Sequence, residues 1–119
     1  MSDDRAHVLD ARRAGRRIQT FLAGVTQNRF LEDIEKQSAV LHQFTILGEA
    51  IRRVSEAFRT AHAHVDWSGV IGFRNLIVHD YDEVDIDIVW QLAHADLPAF
   101  LTAIEPLVTE SPDDETQDS

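Results

Sequence analysis

Apolar and small residues recur at Val8, Ala11, Gly15, Ile18, Leu22 and Val25. Spacings of three to four predict an amphipathic helix beginning at Arg5, capped by Asp4 and ended by Gly24 and the polar run 26–28. Its polar face carries Arg12, Arg13, Arg16 and Arg17. Phe30, Leu31 and Ile34 predict a short amphipathic helix. The stripe Val40/Leu41, Phe44, Leu47, Ile51, Val54 and Phe58 predicts one long helix over about residues 37–60. Residues 61–66 read as a connector. Asp66 or Ser68 is placed to cap a helix carrying Trp67, Val70, Ile71, Ile77 and Val78, which should end in the polar cluster 79–82. Val84, Ile86 and Ile88 alternate briefly as a strand would. Helical spacing then runs through Val89, Leu92, Leu97, Leu101, Ile104 and Leu107/Val108, so the expected element is one helix over about 85–108, kinked where Pro98 removes a backbone donor. The prediction is an all-α protein: an antiparallel bundle of four principal helices and one short one.

A chain of 119 residues with 44% hydrophobic composition suits one domain. The expected division is a helical domain over 1–109 and an acidic, disordered tail over 110–119. The absence of cysteine excludes a disulfide scaffold, a thiolate metal site and a cysteine nucleophile. No apolar run approaches the roughly 20 residues of a membrane helix. The start Met1-Ser2-Asp3-Asp4-Arg5 is too polar for a signal peptide, and the expected location is the cytoplasm. The net charge is −10, but seven acids lie in residues 3–4 and 110–118; residues 5–109 hold 14 acids against 11 bases. That balance disfavours nucleic acid as a partner without excluding it.

The segment Gly72-Phe73-Arg74-Asn75-Leu76-Ile77-Val78-His79-Asp80-Tyr81 gathers Arg, Asn, His and Tyr near the end of a short helix. Asn75 and His79, four apart, share a face. Arg74 and His79, five apart, lie roughly 140° round an ideal helix. One chain would not bring them together; a symmetric dimer could. The residue types suit metal-free RNA cleavage. Histidine can take the proton of a ribose 2′-hydroxyl, and arginine offers a planar fork of donors to the phosphorane that follows. Asn75 would orient the imidazole or bind phosphate. The plainer account has Arg74 and Asn75 on a solvated face, with His79 favoured by the helix dipole.

The run Arg74-Asn75-Leu76-Ile77-Val78-His79-Asp80-Tyr81 resembles the R-x4-H-x-Y motif of HEPN-domain proteins, specifically the HepT group. Gly48-Glu49-Ala50, Trp67, Val89-Trp90 and Asp96-Leu97-Pro98 resemble further family positions in the same order, so the likeness covers about residues 7–108. Phe21 stands where the family often has Tyr, and Asp66 where it often has Pro. The resemblance implies a helical bundle that forms a homodimer, with two motif helices meeting in a cleft to make a composite ribonuclease site. It implies the toxin of a type VII-like toxin–antitoxin pair, acting on tRNA or mRNA without a cofactor. The partner would be a minimal nucleotidyltransferase antitoxin that silences the toxin by transferring AMP to the motif tyrosine. By position, Arg74 and His79 become catalytic, Asn75 supporting, and Tyr81, the chain's one tyrosine, the modified residue. AMP there would put bulk and negative charge two residues from His79. The alternative is a catalytically silent module that binds the nucleotidyltransferase and is modified by it.

Gly48 in mid-helix would permit another helix to approach closely, and Glu49 could then pair with Arg74 or His79. The Arg12, Arg13, Arg16, Arg17 face would contact RNA phosphates or an acidic partner, or simply be solvated. The acids between Asp80 and Asp87 lack the glycine turn and closing glutamate of a calcium loop. His62 and His64, two apart, diverge on a helix, so no metal site is expected. Trp67 and Trp90 fall at core positions.

Overall fold

The computed structural model describes residues 3–109; the predicted acidic tail over 110–119 lies outside them. Among the described residues all regular structure is helical. The helices are α1 (Asp3–Leu22), α2 (Gln27–Glu32), α3 (Ile34–Arg52), α4 (Glu56–Ala61), α5 (Trp67–His79), α6 (Ile86–Gln91) and α7 (Leu97–Thr109). A single 3₁₀ turn at Tyr81–Glu83 joins α5 to α6, and a π-helical segment at Leu92–Asp96 makes α6 and α7 one continuous rod.

The helix α1 packs on α3 and α7, and α5 packs on α3. Two clasps set the direction of α3 against α1. Lys36 Nζ donates to the carbonyl of Phe21 at 3.1 Å, and Asp4 accepts from Ser55. The two helices are therefore antiparallel. The rod's second half also runs antiparallel to α1: Leu97 and Leu101 lie against Gly15, and Arg5 donates to the carbonyls of Leu107 and Val108. A methyl group at Gly15 would stand 2.8 Å from Leu101 Cδ2 and 3.2 Å from Leu97 Cδ1, so the missing side chain lets α7 sit close. Between these elements lie Val8, Ile18, Val40, Leu47, Ile51, Ile104 and Val108, all buried. Each contributes about 1.5–3 kcal/mol by leaving water.

Three local expectations need correction. Asp4 lies inside α1 and does not cap it; its carboxylate accepts from the backbone N–H and hydroxyl of Ser55 at 2.7 and 2.8 Å. Ser55 in turn caps α4 by accepting from Phe58 N–H. These bonds break the long helix predicted over 37–60 into α3 and α4, giving two short helices where one was expected. Ile34 opens α3, 75% exposed, instead of closing α2. At the far end, the helix over 85–108 does form, capped by Asp85 accepting from Asp87 N–H. It is π-wound over Leu92–Asp96, with Leu97 N–H bonded back to the Leu92 carbonyl. The wider turn stands directly before Pro98, where the ring would otherwise press on the preceding turn.

Candidate functional site

The motif helix α5 is anchored at its start. Asp66 accepts from Gly69 N–H at 3.1 Å, and Trp67 Nε1 donates to the carbonyl of His62 at 2.9 Å. The indole is buried, edge-on to Phe100. Trp90 is half-buried between Phe30 and His94, with ring centroids 5.5 and 3.9 Å away. The helix stops at His79, where Asp80 N–H closes on the Leu76 carbonyl and the 3₁₀ turn begins.

The inner face of α5 meets α3. Phe73 stands edge-on to Phe44 at 5.1 Å, and Ile77 is fully buried. Next to them Arg74 crosses Gly48. A methyl group at Gly48 would overlap Cβ and Cγ of Arg74, the root of the side chain, so α5 would have to move away from α3. Glu49 follows Gly48 and takes Arg74: the guanidinium NH2 donates to Glu49 Oε2, and NH1 donates to Asn75 Oδ1 at 2.9 Å. Arg52 lies 3.5 Å from the same Glu49 oxygen. The Arg74 side chain is 16% exposed, and its Nε is buried without a hydrogen-bond partner. A guanidinium has five N–H donors, and Glu49 and Asn75 do not use them all. The arrangement is a cation fixed in place by a carboxylate and an amide, with donors left for an incoming anion.

The outer face of α5 is different. Leu76, Val78 and His79 are exposed near its end; Leu76 and Val78, two apart, mark the opposite edges of this exposed arc, about 160° from each other, with Asn75 and His79 between them. Space beyond Gly72 is open. Leu76 and Val78 are 45% and 48% exposed, and Tyr81, just past the helix, is 47% exposed. Val78, an apolar position beside Ile77, is exposed: it lies about 100° round the helix from the buried Ile77. Among the described residues His79 has no hydrogen-bond or ion-pair partner, and no bond joins it to Arg74.

The structure thus brings Arg74, Asn75 and Glu49 together; no bond joins His79 to any of them, and Tyr81 lies exposed just past the helix end. The α1 arginines form a separate group. Arg12 makes a two-pronged pair with Glu105 at 3.0 and 2.9 Å, Arg16 lies 3.5 Å from Glu105, and Arg13 pairs with Asp10 at 3.1 Å. Glu105 was not legible as their partner; only the helix packing brings it there. Among the described residues no three His, Asp or Glu side chains gather as a metal site. No helix there is long and apolar enough to cross a membrane.

Residues 11–107 match the family model described as ribonuclease HepT-like. The chain is 27% identical over 108 residues to a candidate RNase of Methanocaldococcus jannaschii, MJ0127, covering 91% of this chain and 89% of that one. A second candidate RNase of the same organism, MJ1380, is 26% identical over 103 residues, 87% of this chain and 94% of its own. A Thermococcus cleftensis protein named "Probable ribonuclease HepT" is 28% identical over 90 residues, 76% of this chain and 82% of its own. No solved structure gives a significant match.

Proposed function

Because the chain belongs to the ribonuclease HepT-like family, we propose that it is a metal-independent endoribonuclease whose active site is completed by a second copy. His79 takes the proton of a ribose 2′-hydroxyl. The 2′-oxygen attacks the adjacent phosphorus, and Arg74 stabilises the charge on the phosphorane. The bond to the 5′-oxygen breaks, that oxygen gains a proton, and the products are a 2′,3′-cyclic phosphate and a 5′-hydroxyl. Asn75 and Glu49 hold the Arg74 guanidinium in position. The substrate is an RNA, tRNA or mRNA.

The observation that carries this reading is the uncovered outer face of α5. His79 stands there between exposed Leu76 at one edge and exposed Val78 at the other, with open space at Gly72. A two-fold axis beside the edge that carries Val78, Asn75 and His79 would bury Val78 and let His79 of one copy approach Arg74 of the other, which borders that edge one turn before Val78. In the cell the protein would act as the toxin of a toxin–antitoxin pair. Its antitoxin, a minimal nucleotidyltransferase, would transfer AMP to Tyr81, whose exposure leaves the phenol within reach.

A second reading is a catalytically silent module that docks on the nucleotidyltransferase. It draws on Glu49, which already neutralises Arg74, and on the net charge of −10. Cleavage of total RNA in excess EDTA, wild type beside His79→Ala, separates the two. Mass spectrometry first establishes that Tyr81 carries no AMP. Cleavage by wild type and its loss of about 10²-fold or more in the variant supports the nuclease. Unmodified wild type that leaves RNA intact favours the silent module, and equal cleavage by both removes His79 from the mechanism.

A further inference from the structure

The four arginines of α1 make a second surface, away from the bonds of the α5 motif. Arg12, Arg13, Arg16 and Arg17 line a groove of about 350 Å³, with half-buried Leu9 and Phe21 beside them. Four of the chain's 11 Lys and Arg residues thus fall within six positions. Their charge is only partly answered. Glu105 serves both Arg12 and Arg16, and Asp10 serves Arg13. Among the described residues Arg17 has no ion pair. Two carboxylates face four guanidinium groups, so the groove stays positive on a chain whose total is −10.

We propose that this groove binds the sugar–phosphate backbone of a single RNA strand. The identity of the polyanion rests on the ribonuclease reading above; the groove itself rests on the charges. A protein this acidic can hold a nucleic acid only where its bases are concentrated, because screening confines each charge to a Debye length of about 8–10 Å. Arg12 and Arg16, and likewise Arg13 and Arg17, are one turn apart, about 6 Å along the axis. That is comparable to the separation of neighbouring phosphates on a strand. The guanidinium fork matches two phosphate oxygens, which an ammonium does not. The ring of Phe21 at its end offers apolar surface to an unpaired base. Glu105 keeps Arg12 extended across to α7, so part of the ordering of the groove is complete before RNA arrives.

The test is fluorescence anisotropy with a short, labelled, unpaired RNA and the full chain carrying His79→Ala, so that the probe is not cut. Arg13→Ala with Arg17→Ala is the informative pair. Both are exposed and neither holds α1 to α7, and alanine favours the helix, which thermal unfolding verifies. Affinity should fall about tenfold or more. The slope of log K against log salt should shrink by about 1.4, at about 0.7 for each phosphate that is no longer neutralised. Unchanged affinity and slope would overturn the proposal. So would retained RNA binding with lost binding to poly-L-glutamate, which would mark the face as a dock for an acidic protein. Cleavage by the His79-intact chain is scored separately. If wild type cuts nothing yet RNA binding follows the arginines, the catalytic reading falls and the groove stands. If it cuts and binding ignores the arginines, the reverse holds.

Discussion

The two faces of α5 carry opposite states of completion. On the inner face Gly48 gives Arg74 its place, Phe73 meets Phe44, and Ile77 is sealed in the core. On the outer face Gly72 meets nothing and two large aliphatic side chains stand in water. Both faces belong to one 13-residue helix with the same cap and the same neighbours in sequence. A helix this short contributes little stability alone, so the inner contacts hold it and the outer face is free to serve another molecule. The cation of the proposed site is on the finished side and the imidazole on the unfinished side. Under the proposed reading, that separation calls for a second copy to bring imidazole and cation together.

The contrast is most directly broken from outside. Leu76→Asp with Val78→Asp puts charge on the open face. The helical content should survive, since neither side chain is in the core. The proposed dimer should dissociate in sedimentation velocity, and the proposed RNA cleavage should fall by about 10²-fold or more, the range of one acid–base group removed from a site. A monomer that still cuts RNA would show that one chain suffices.

Two glycine substitutions sharpen the contrast next. Gly48→Ala drives a methyl group into Arg74 and should cost about 1–3 kcal/mol in chemical denaturation. Gly72→Ala enters open space and should raise the stability of the single chain by up to about 1 kcal/mol through helix propensity. Destabilisation at Gly72 would mean that the outer face is covered in solution. The same variant should therefore lower stability only at concentrations where the chain dimerises.

Glu49→Gln tests the inner clamp. It leaves a hydrogen-bond acceptor but removes the charge facing Arg74 and Arg52, and about 1 kcal/mol of stability should go with it. If Glu49 only positions Arg74, the apparent affinity for RNA should hold or rise, while kcat falls. An unchanged kcat would remove it from the site.

The smallest effect lies at the start of α1. The backbone N–H of Ser55, and then its hydroxyl, hold the Asp4 carboxyl below the usual carboxylate range. The unfolded chain therefore binds the Asp4 proton more readily than the folded one, so stability rises with pH across that interval. The contribution is complete above the unfolded pKa and is lost as pH falls through the lowered folded value. Asp4→Ala should flatten acid unfolding slightly and leave the neutral-to-basic range parallel to wild type.

Much of the fold was legible because helical patterns are local. The stripes of α1, α3, α5 and the last rod, the cap at Asp66, and the stop at His79 all depend on neighbours within one or two turns. The break at Ser55 was not legible. Its stripe residue Val54 is buried as the pattern predicts, and the helix ends because Asp4, 51 positions earlier, takes the Ser55 N–H. The exposure of Val78 was not legible for a related reason: periodicity marks an apolar position without saying which neighbour exists to bury it. The motif residues stood out by type, and the pairing of Glu49 with Arg74 was one of two partners the sequence allowed.

The sequence by itself determined the helical class, the extent of most helices, the family likeness and the candidate residues Arg74, Asn75, His79 and Tyr81. Only the tertiary structure decided that Arg74 is held inward across Gly48 by Glu49, that His79 looks out beside an uncovered apolar face, and that Glu105 answers Arg12 and Arg16. The physical reason is range. Propensity, capping and periodicity act within a few residues, whereas a packed helix pair places charges by contacts between segments that the chain keeps far apart.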